Sequence, residues 1–178
     1  MPQEPIPRRE GEDMQAAAIL PKPWHKHWPE GVPKSIDYPE IAVHELLRRT
    51  AKQHPEWTAT VFFGKRTTYR ELDELADRFA AGLRGIGLKP GDRVSLMLPN
   101  TPHFFVAFFG VLRAGGIVVQ TNFLYTPREL EYLYNDAGVK TVVALDIFWH
   151  NLAEAKPRTQ VSHVVVCDVS DFLPFPLR

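Results

Sequence analysis

Residues Leu98–Leu130 read "LPNTPHFFVAFFGVLRAGGIVVQTNFLYTPREL", and within them Phe104 to Leu112 form nine consecutive apolar residues. A helix that spans a bilayer needs about 20 such residues, and Arg113, Gly115 and Gly116 stop this one well short. Its borders are those of a helix: Thr101 at the N-cap, Pro102 at the first helical position, and a glycine pair at the end. A helix apolar nearly all round is expected to lie buried in a core. "IVVQ" then reads as a strand. "TPRE" opens the next helix with a capping box, Thr126 paired with Glu129, and Leu130, Leu133, Tyr134 and Ala137 form its apolar face.

Working outward from this stretch, the same alternation continues on both sides. Upstream, "IAVHELLRRTAKQH" from Ile41 places Val43, Leu46, Leu47 and Ala51 on one helical face. "TATVFF" reads as a strand, with Gly64-Lys65 as the turn into the short strand "RTT". Thr68 and Glu71 make a second capping box, and Leu72, Leu75, Ala76, Phe79, Ala80 and Leu83 form the stripe of the helix it opens. "RVSLML" is the strand before Pro99-Asn100. Downstream, Gly138 closes a helix, "TVVAL" and "HVVVC" read as strands, and a weaker helix covers Phe148 to Ala155. Strands apolar on both faces and alternating with single helices imply an α/β fold, a parallel sheet with helices on both faces and right-handed crossovers.

Residues 1–39 carry eight of the sixteen prolines and little periodicity, so they read as a Pro-rich N-terminal arm, with residues 40–178 as the α/β lobe. The 178 residues are 44% apolar and 24% charged, with Lys plus Arg equal to Asp plus Glu at 21 each. That composition suits a globular domain and gives no net field to draw nucleic acid. A single cysteine, Cys167, excludes an internal disulfide framework and fits a reducing, cytoplasmic setting. In "HVVVCD" it reads as a small buried hydrophobe. The N-terminus has no apolar core of a signal peptide.

In open parallel sheets ligands bind beyond the carboxyl ends of the strands. Three loops qualify: "PNT" after Leu98, "TNFLYT" after Gln120 and "DIF" after Leu145. The middle one groups Asn122, Phe123 and Tyr125. Its helix start is a candidate anion site, but Glu129 would fill those donors with a carboxylate, which favours a capped turn. His25 and His27 are two candidate metal ligands in a proline-bounded loop, too few for a site. His44 reads as a surface or edge residue, and His103 as a cap or core residue that could face a ligand. There is no G-x-G-x-x-G, G-x-x-x-x-G-K or G-x-S-x-G, and Ser35, Ser95, Ser162 and Ser170 lack glycine neighbours. The residues yield no catalytic set, no metal site and no cofactor site.

The order "TYRELDELADRFAAGLRGIGLKPGDRVSLMLPN" then "FGVLRAGGIVVQTNFLYTPRELEY" resembles the start of the AMP-forming acyl-CoA synthetases of the adenylate-forming superfamily. "KPWHKHWPEGVP" and "DFLPFP" are similar to the bacterial long-chain-fatty-acid–CoA ligases. The resemblance runs from Lys22 to Pro176, with Phe123 standing where that group commonly has proline. It implies the first lobe of the large N-terminal domain of an enzyme that uses ATP and Mg²⁺ to make an acyl adenylate and CoA to capture the acyl group. The phosphate-holding loop and the C-terminal domain of that family correspond to nothing between Met1 and Arg178. The chain alone is therefore expected to be inactive and to serve as a scaffold for the remaining lobes. None of the three cofactors is expected to bind it tightly, and Asn122, Phe123 and Tyr125 are its expected contribution to the wall of an acyl or CoA passage. The expected setting is cytoplasmic or peripheral at the inner membrane face. Alternatives are a non-catalytic module that binds fatty acid or forms a homodimer, and a ligase for an aryl or amino acid. The sequence leaves translation from Met1 or Met14 open.

Overall fold

A computed structural model describes residues 22–175. The chain divides into two units, with the boundary between Glu40 and Ile41. In the first, Pro23–His27 form a short 3-10 turn, with His25 edge-on to Trp24 and Trp28 at 6.1 and 5.8 Å. The Trp28 indole donates to the Val32 carbonyl at 3.0 Å.

The second unit opens with helix α1 (Val43–Gln53), then an antiparallel hairpin of β1 (Thr58–Phe62) and β2 (Lys65–Thr68). α2 (Tyr69–Gly85), β3 (Arg93–Met97), α3 (Pro102–Arg113) and β4 (Ile117–Gln120) follow. α4 (Pro127–Ala137), β5 (Val139–Leu145), α5 (Trp149–Ala155) and β6 (His163–Cys167) complete it. β3 to β6 form one parallel sheet in the order β4-β3-β5-β6. Alternation along the strands sorts the core into two layers. Val94, Leu96, Val143 and Leu145 meet Ala80 and Leu83 of α2 and Ala107 and Val111 of α3. On the other face Met97, Val142 and Ala144 meet Leu130 and Tyr134 of α4 and Leu152 and Ala155 of α5. The expected parallel sheet covered on both faces is what forms.

Both capping boxes are made as read. Thr68 N–H donates to Glu71 Oε2 at 2.8 Å and Glu71 N–H returns to Thr68 Oγ1 at 3.2 Å. Thr126 and Glu129 repeat the exchange at 2.8 and 3.4 Å. Gly138 ends α4 in the left-handed region at φ 65°. Close approach explains another glycine: a Cβ on Gly110 would lie 2.7 Å from the Phe79 ring and 3.1 Å from the Ala76 carbonyl, so it is the residue that lets α3 settle on α2.

Four expectations need correction. The apolar helix α3 is buried on one side only: Val106, Ala107, Gly110 and Val111 are covered, while Phe105 is 42% exposed and Phe104, Phe108 and Phe109 are half-buried. Composition counted apolar positions, but one sheet face and one neighbouring helix cover only part of a helix's circumference. On α1, Leu47 and Ala51 are buried, whereas Val43 and Leu46 are exposed. The hairpin turn is Phe63-Gly64, one residue earlier than read, with φ of 48° and 84°. Both central residues are left-handed, as the right-handed twist of the strands demands of a two-residue loop. Thr101 does occupy the N-cap of α3, but its side chain makes no capping bond and instead contacts His103.

Candidate functional site

Helices leave neighbouring strands β3 and β5 toward opposite faces of the sheet: α3 follows β3 on one side, α5 follows β5 on the other. A crevice opens at the carboxyl ends of such strands. The loops named from sequence lie at those strand ends. Leu98–Thr101 follow β3, Thr121–Thr126 follow β4, and Asp146–Phe148 follow β5 as a 3-10 turn.

The three expected wall residues have different positions within this loop cluster. Phe123 is half-buried, its ring 4.9 Å from that of Phe148 and tilted by 30°, so the loops after β4 and β5 are joined across the sheet edge. Tyr125 is half-buried against the α4–α5 layer, and its carbonyl accepts from Asn151 Nδ2 at 3.1 Å. The Asn122 side chain is exposed, and its Oδ1 accepts from Leu124 N–H at 3.0 Å, so it shapes the turn. Beside them Leu124, Ile147 and Trp149 are exposed by 71%, 63% and 45%. Spread over the loop after β4, the 3-10 turn after β5 and the start of α5, these side chains have no periodicity from which their grouping could be read.

A buried polar network supports the same edge. Ser95 Oγ and Thr121 Oγ1 lie 2.7 Å apart, and Ser95 Oγ reaches the Tyr134 hydroxyl at 3.4 Å. Tyr134 OH also approaches Met97 Sδ at 3.8 Å. Burial pushes the Tyr134 phenol up, so it stays protonated. Sequence reasoning placed Tyr134 in an apolar stripe. The signal that existed was Ser95, a serine set between the apolar Val94 and Leu96 inside β3.

His103 is a core residue, 5% exposed. Its Nε2–H donates to the Asp168 carbonyl at 3.0 Å, leaving Nδ1 to accept from the Thr101 hydroxyl at 3.3 Å. The Phe172 ring sits edge-on at 4.7 Å and Asp171 Oδ2 is 3.7 Å from Nε2. Desolvation lowers its pKa, against the opposing pull of Asp168 and Asp171. A neutral imidazole thus ties the start of α3 to the 3-10 turn Val169–Phe172. His44 is half-buried, 3.6 Å from Glu45. Cys167 is half-buried, with its thiol pushed up to about 11 by burial first and Asp171 second, so it is not a poised nucleophile.

The start of α4 does not build a phosphate site. Glu129 fills it with its own carboxylate, and the Thr126 hydrogen bonds hold that carboxyl below its usual range. The positive-φ glycines of the sheet region, Gly87, Gly91, Gly115 and Gly138, all precede strands, at the edge opposite the crevice. A nucleotide-phosphate loop needs such backbone at the carboxyl edge, next to a lysine. The described residues therefore form no cradle for the phosphates of ATP at that edge. Among the described residues no group of three or more His, Cys, Asp or Glu side chains could hold a metal. No helix among them is long and apolar enough to cross a membrane.

Comparison with known proteins places this geometry. A family model described as "AMP-binding enzyme" matches residues 47–177, about three quarters of the chain. The long-chain-fatty-acid–CoA ligase of Bacillus subtilis (strain 168) is 40% identical over 155 residues, which cover 87% of this chain and 28% of that protein. Among solved structures, a benzoate CoA ligase from Burkholderia xenovorans LB400 is 31% identical with a TM-score of 0.67, over 71% of this chain and 26% of its own. A long-chain-fatty-acid-CoA ligase from Archaeoglobus fulgidus shares the fold at a TM-score of 0.70 and 23% identity, over 78% of this chain and 30% of its own. The chain spans little more than a quarter of the length of the curated relatives it matches, in their N-terminal part.

Proposed function

The chain belongs to the AMP-binding enzyme family, and from that premise we propose that it is the first α/β lobe of a long-chain-fatty-acid–CoA ligase. That enzyme joins a fatty acid to the α-phosphate of ATP with Mg²⁺, releases pyrophosphate, and passes the acyl group to the thiol of CoA. Residues 1–39 are its arm and 40–178 its first lobe. The observation that carries the reading is the 40% identity to a fatty-acid ligase over nearly the whole chain. An apolar rim at the strand ends, Leu124, Ile147 and Trp149, supports it.

The lobe's part is structural. It presents the Phe123–Phe148 contact and Tyr125 as a wall for an acyl or CoA passage, and holds that wall on the Ser95–Thr121–Tyr134 network. Nucleotide, Mg²⁺ and the reacting atoms are held by other lobes of the same enzyme. The balanced charge and single reduced cysteine support a cytoplasmic setting, with contact at the inner membrane face through the hydrophobic substrate.

The test is ATP–pyrophosphate exchange by a chimera in which these 178 residues replace the matching segment of the Bacillus subtilis relative. Palmitate should support exchange and benzoate should not, and the 178-residue chain alone should stay at blank. Exchange with benzoate but not palmitate would move the assignment to aryl acids, the substrate class named for the 31% identical structure. Exchange by the chain alone would refute the scaffold role. Phe123→Pro in the chimera should alter chain-length preference; an unchanged preference removes Phe123 from the wall.

A further inference from the structure

A cavity of about 450 Å³ lies between β2, α2, α3 and the 3-10 turn after β6, on the side of the sheet away from Phe123 and Tyr125. Its walls are apolar, with Leu75 and Phe79 from α2, Val106 and Ala107 from α3, and Cys167 and Phe172 from the end of β6 onward. Three cationic side chains line it, Lys65, Arg66 and Arg78, the two arginines exposed and so at its mouth. None of the three forms an ion pair among the described residues. Arg66 donates only to Thr58 Oγ1 at 3.3 Å, Arg78 to the Glu74 carbonyl at 3.5 Å, and Lys65 to the Asp171 carbonyl at 3.1 Å.

Two carboxylates also line the cavity, and neither neutralises those cations. Glu71 is engaged by the Thr68 N–H and hydroxyl in the capping box. Asp171 faces His103 at 3.7 Å. His103 has both ring nitrogens committed, which fixes the turn carrying Phe172 as one end of the cavity. A half-open, mainly apolar cleft of this size, with a few convergent polar groups, is the form of a small-molecule site. An apolar body with a cationic mouth selects a ligand with one anionic head and one apolar tail.

We propose that this cavity binds a single long-chain carboxylate, its tail along Leu75, Phe79 and Val106 and its head at Arg66 and Arg78. The cavity lies on the face of the sheet opposite Phe123 and Tyr125, and the proposal does not rest on the activity proposed above. Its occupant would brace the β1–β2 hairpin and the turn after β6 against the α2–α3 pair, the four elements that share its wall.

The single cysteine makes the test local, because Cys167 lines the cavity. The purified 178-residue chain is labelled with methyl methanethiosulfonate at pH 8.5, with and without palmitate, and dansylaminoundecanoate binding is titrated in parallel. One probe should bind per chain, palmitate should displace it, and palmitate should slow Cys167 labelling at least tenfold. Benzoate should do neither. The Arg66→Glu/Arg78→Glu double variant, at exposed positions, should weaken binding at least tenfold with an unchanged circular dichroism spectrum. Val106→Trp should block binding by filling the cavity, and Phe123→Pro should leave it intact. Absence of saturable binding, or Cys167 labelling indifferent to palmitate, overturns the proposal. So does binding that survives the arginine reversal, which would mark a nonspecific apolar surface. A chimera that fails with palmitate leaves this result untouched, so the two readings fail separately.

Discussion

Arg113 holds three helices together, and its removal should be among the costliest single changes in the lobe. Its side chain is 4% exposed at the end of α3. It pairs with Asp73 and with Asp77 Oδ1 at 3.0 Å on α2, and donates to the Asp73 carbonyl at 2.7 Å. Arg48 of α1 meets the same Asp77 oxygen at 2.7 Å. Arg113 Nε has no partner, so the fork rather than the whole guanidinium carries the bonds. Breaking a buried pair by deleting one partner costs about 3–5 kcal/mol, because the other charge keeps its desolvation penalty. Asp73 at 20% exposed retains most of that penalty, while Asp77 at 53% is relieved by water, which points to the lower half of the range. With a urea slope of about 2 kcal/mol per molar, Arg113→Ala should lower the unfolding midpoint by about 1.5–2 M. Arg113→Lys should fall between, since it keeps the charge but loses the fork. The assay is urea unfolding followed by circular dichroism, closed as a double-mutant cycle with Asp73→Ala, where a coupling above about 0.5 kcal/mol is expected. A midpoint shift for Arg113→Ala no larger than that of exposed Arg78→Ala would falsify the reasoning.

Other outcomes follow from the same chemistry. Phe63 sits left-handed at φ 48° and 67% exposed, and a non-glycine residue there costs about 1–2 kcal/mol; Phe63→Gly should raise the urea midpoint, and a lower midpoint would show that its edge contact with Phe62 outweighs the strain. His103 has a folded pKa below its ordinary 6.5, so the unfolded chain binds the extra proton in that window. Stability should be constant above about pH 7 and decline as pH falls through 6.5 toward the folded value, and His103→Gln should flatten that decline; an unchanged slope would remove His103 as its source. Gly110→Ala should destabilise by about 1–3 kcal/mol despite alanine's better helix propensity, because the Ala76 carbonyl at 3.1 Å cannot move aside; an unchanged thermal midpoint would mean that α3 shifts freely. Cys167, with its thiol at about 11, should react with thiol reagents at a rate still rising between pH 8 and 10, and a plateau near pH 8.5 would contradict its burial.

The sequence by itself determined the elements and their kind. Period-2 and period-3.6 patterns, the Thr68–Glu71 and Thr126–Glu129 boxes and the Gly138 stop are local features, set by residues within one turn of each other, so they survive being read along a line. Strands apolar on both faces announced a parallel sheet for the same reason. What only the tertiary structure decided depends on which elements become neighbours. The strand order β4-β3-β5-β6 brought the loops after β4 and β5 together and set Phe123 against Phe148. It turned Ser95, Thr121 and Tyr134 from three unremarkable positions into one network. Packing left part of the most apolar helix exposed, because burial is a property of the surroundings rather than of the residues. And the cavity of Leu75, Val106, Cys167 and Phe172 has no linear signature at all: it is drawn from four elements spread over a hundred residues, and exists only where their side chains fail to fill the space between them.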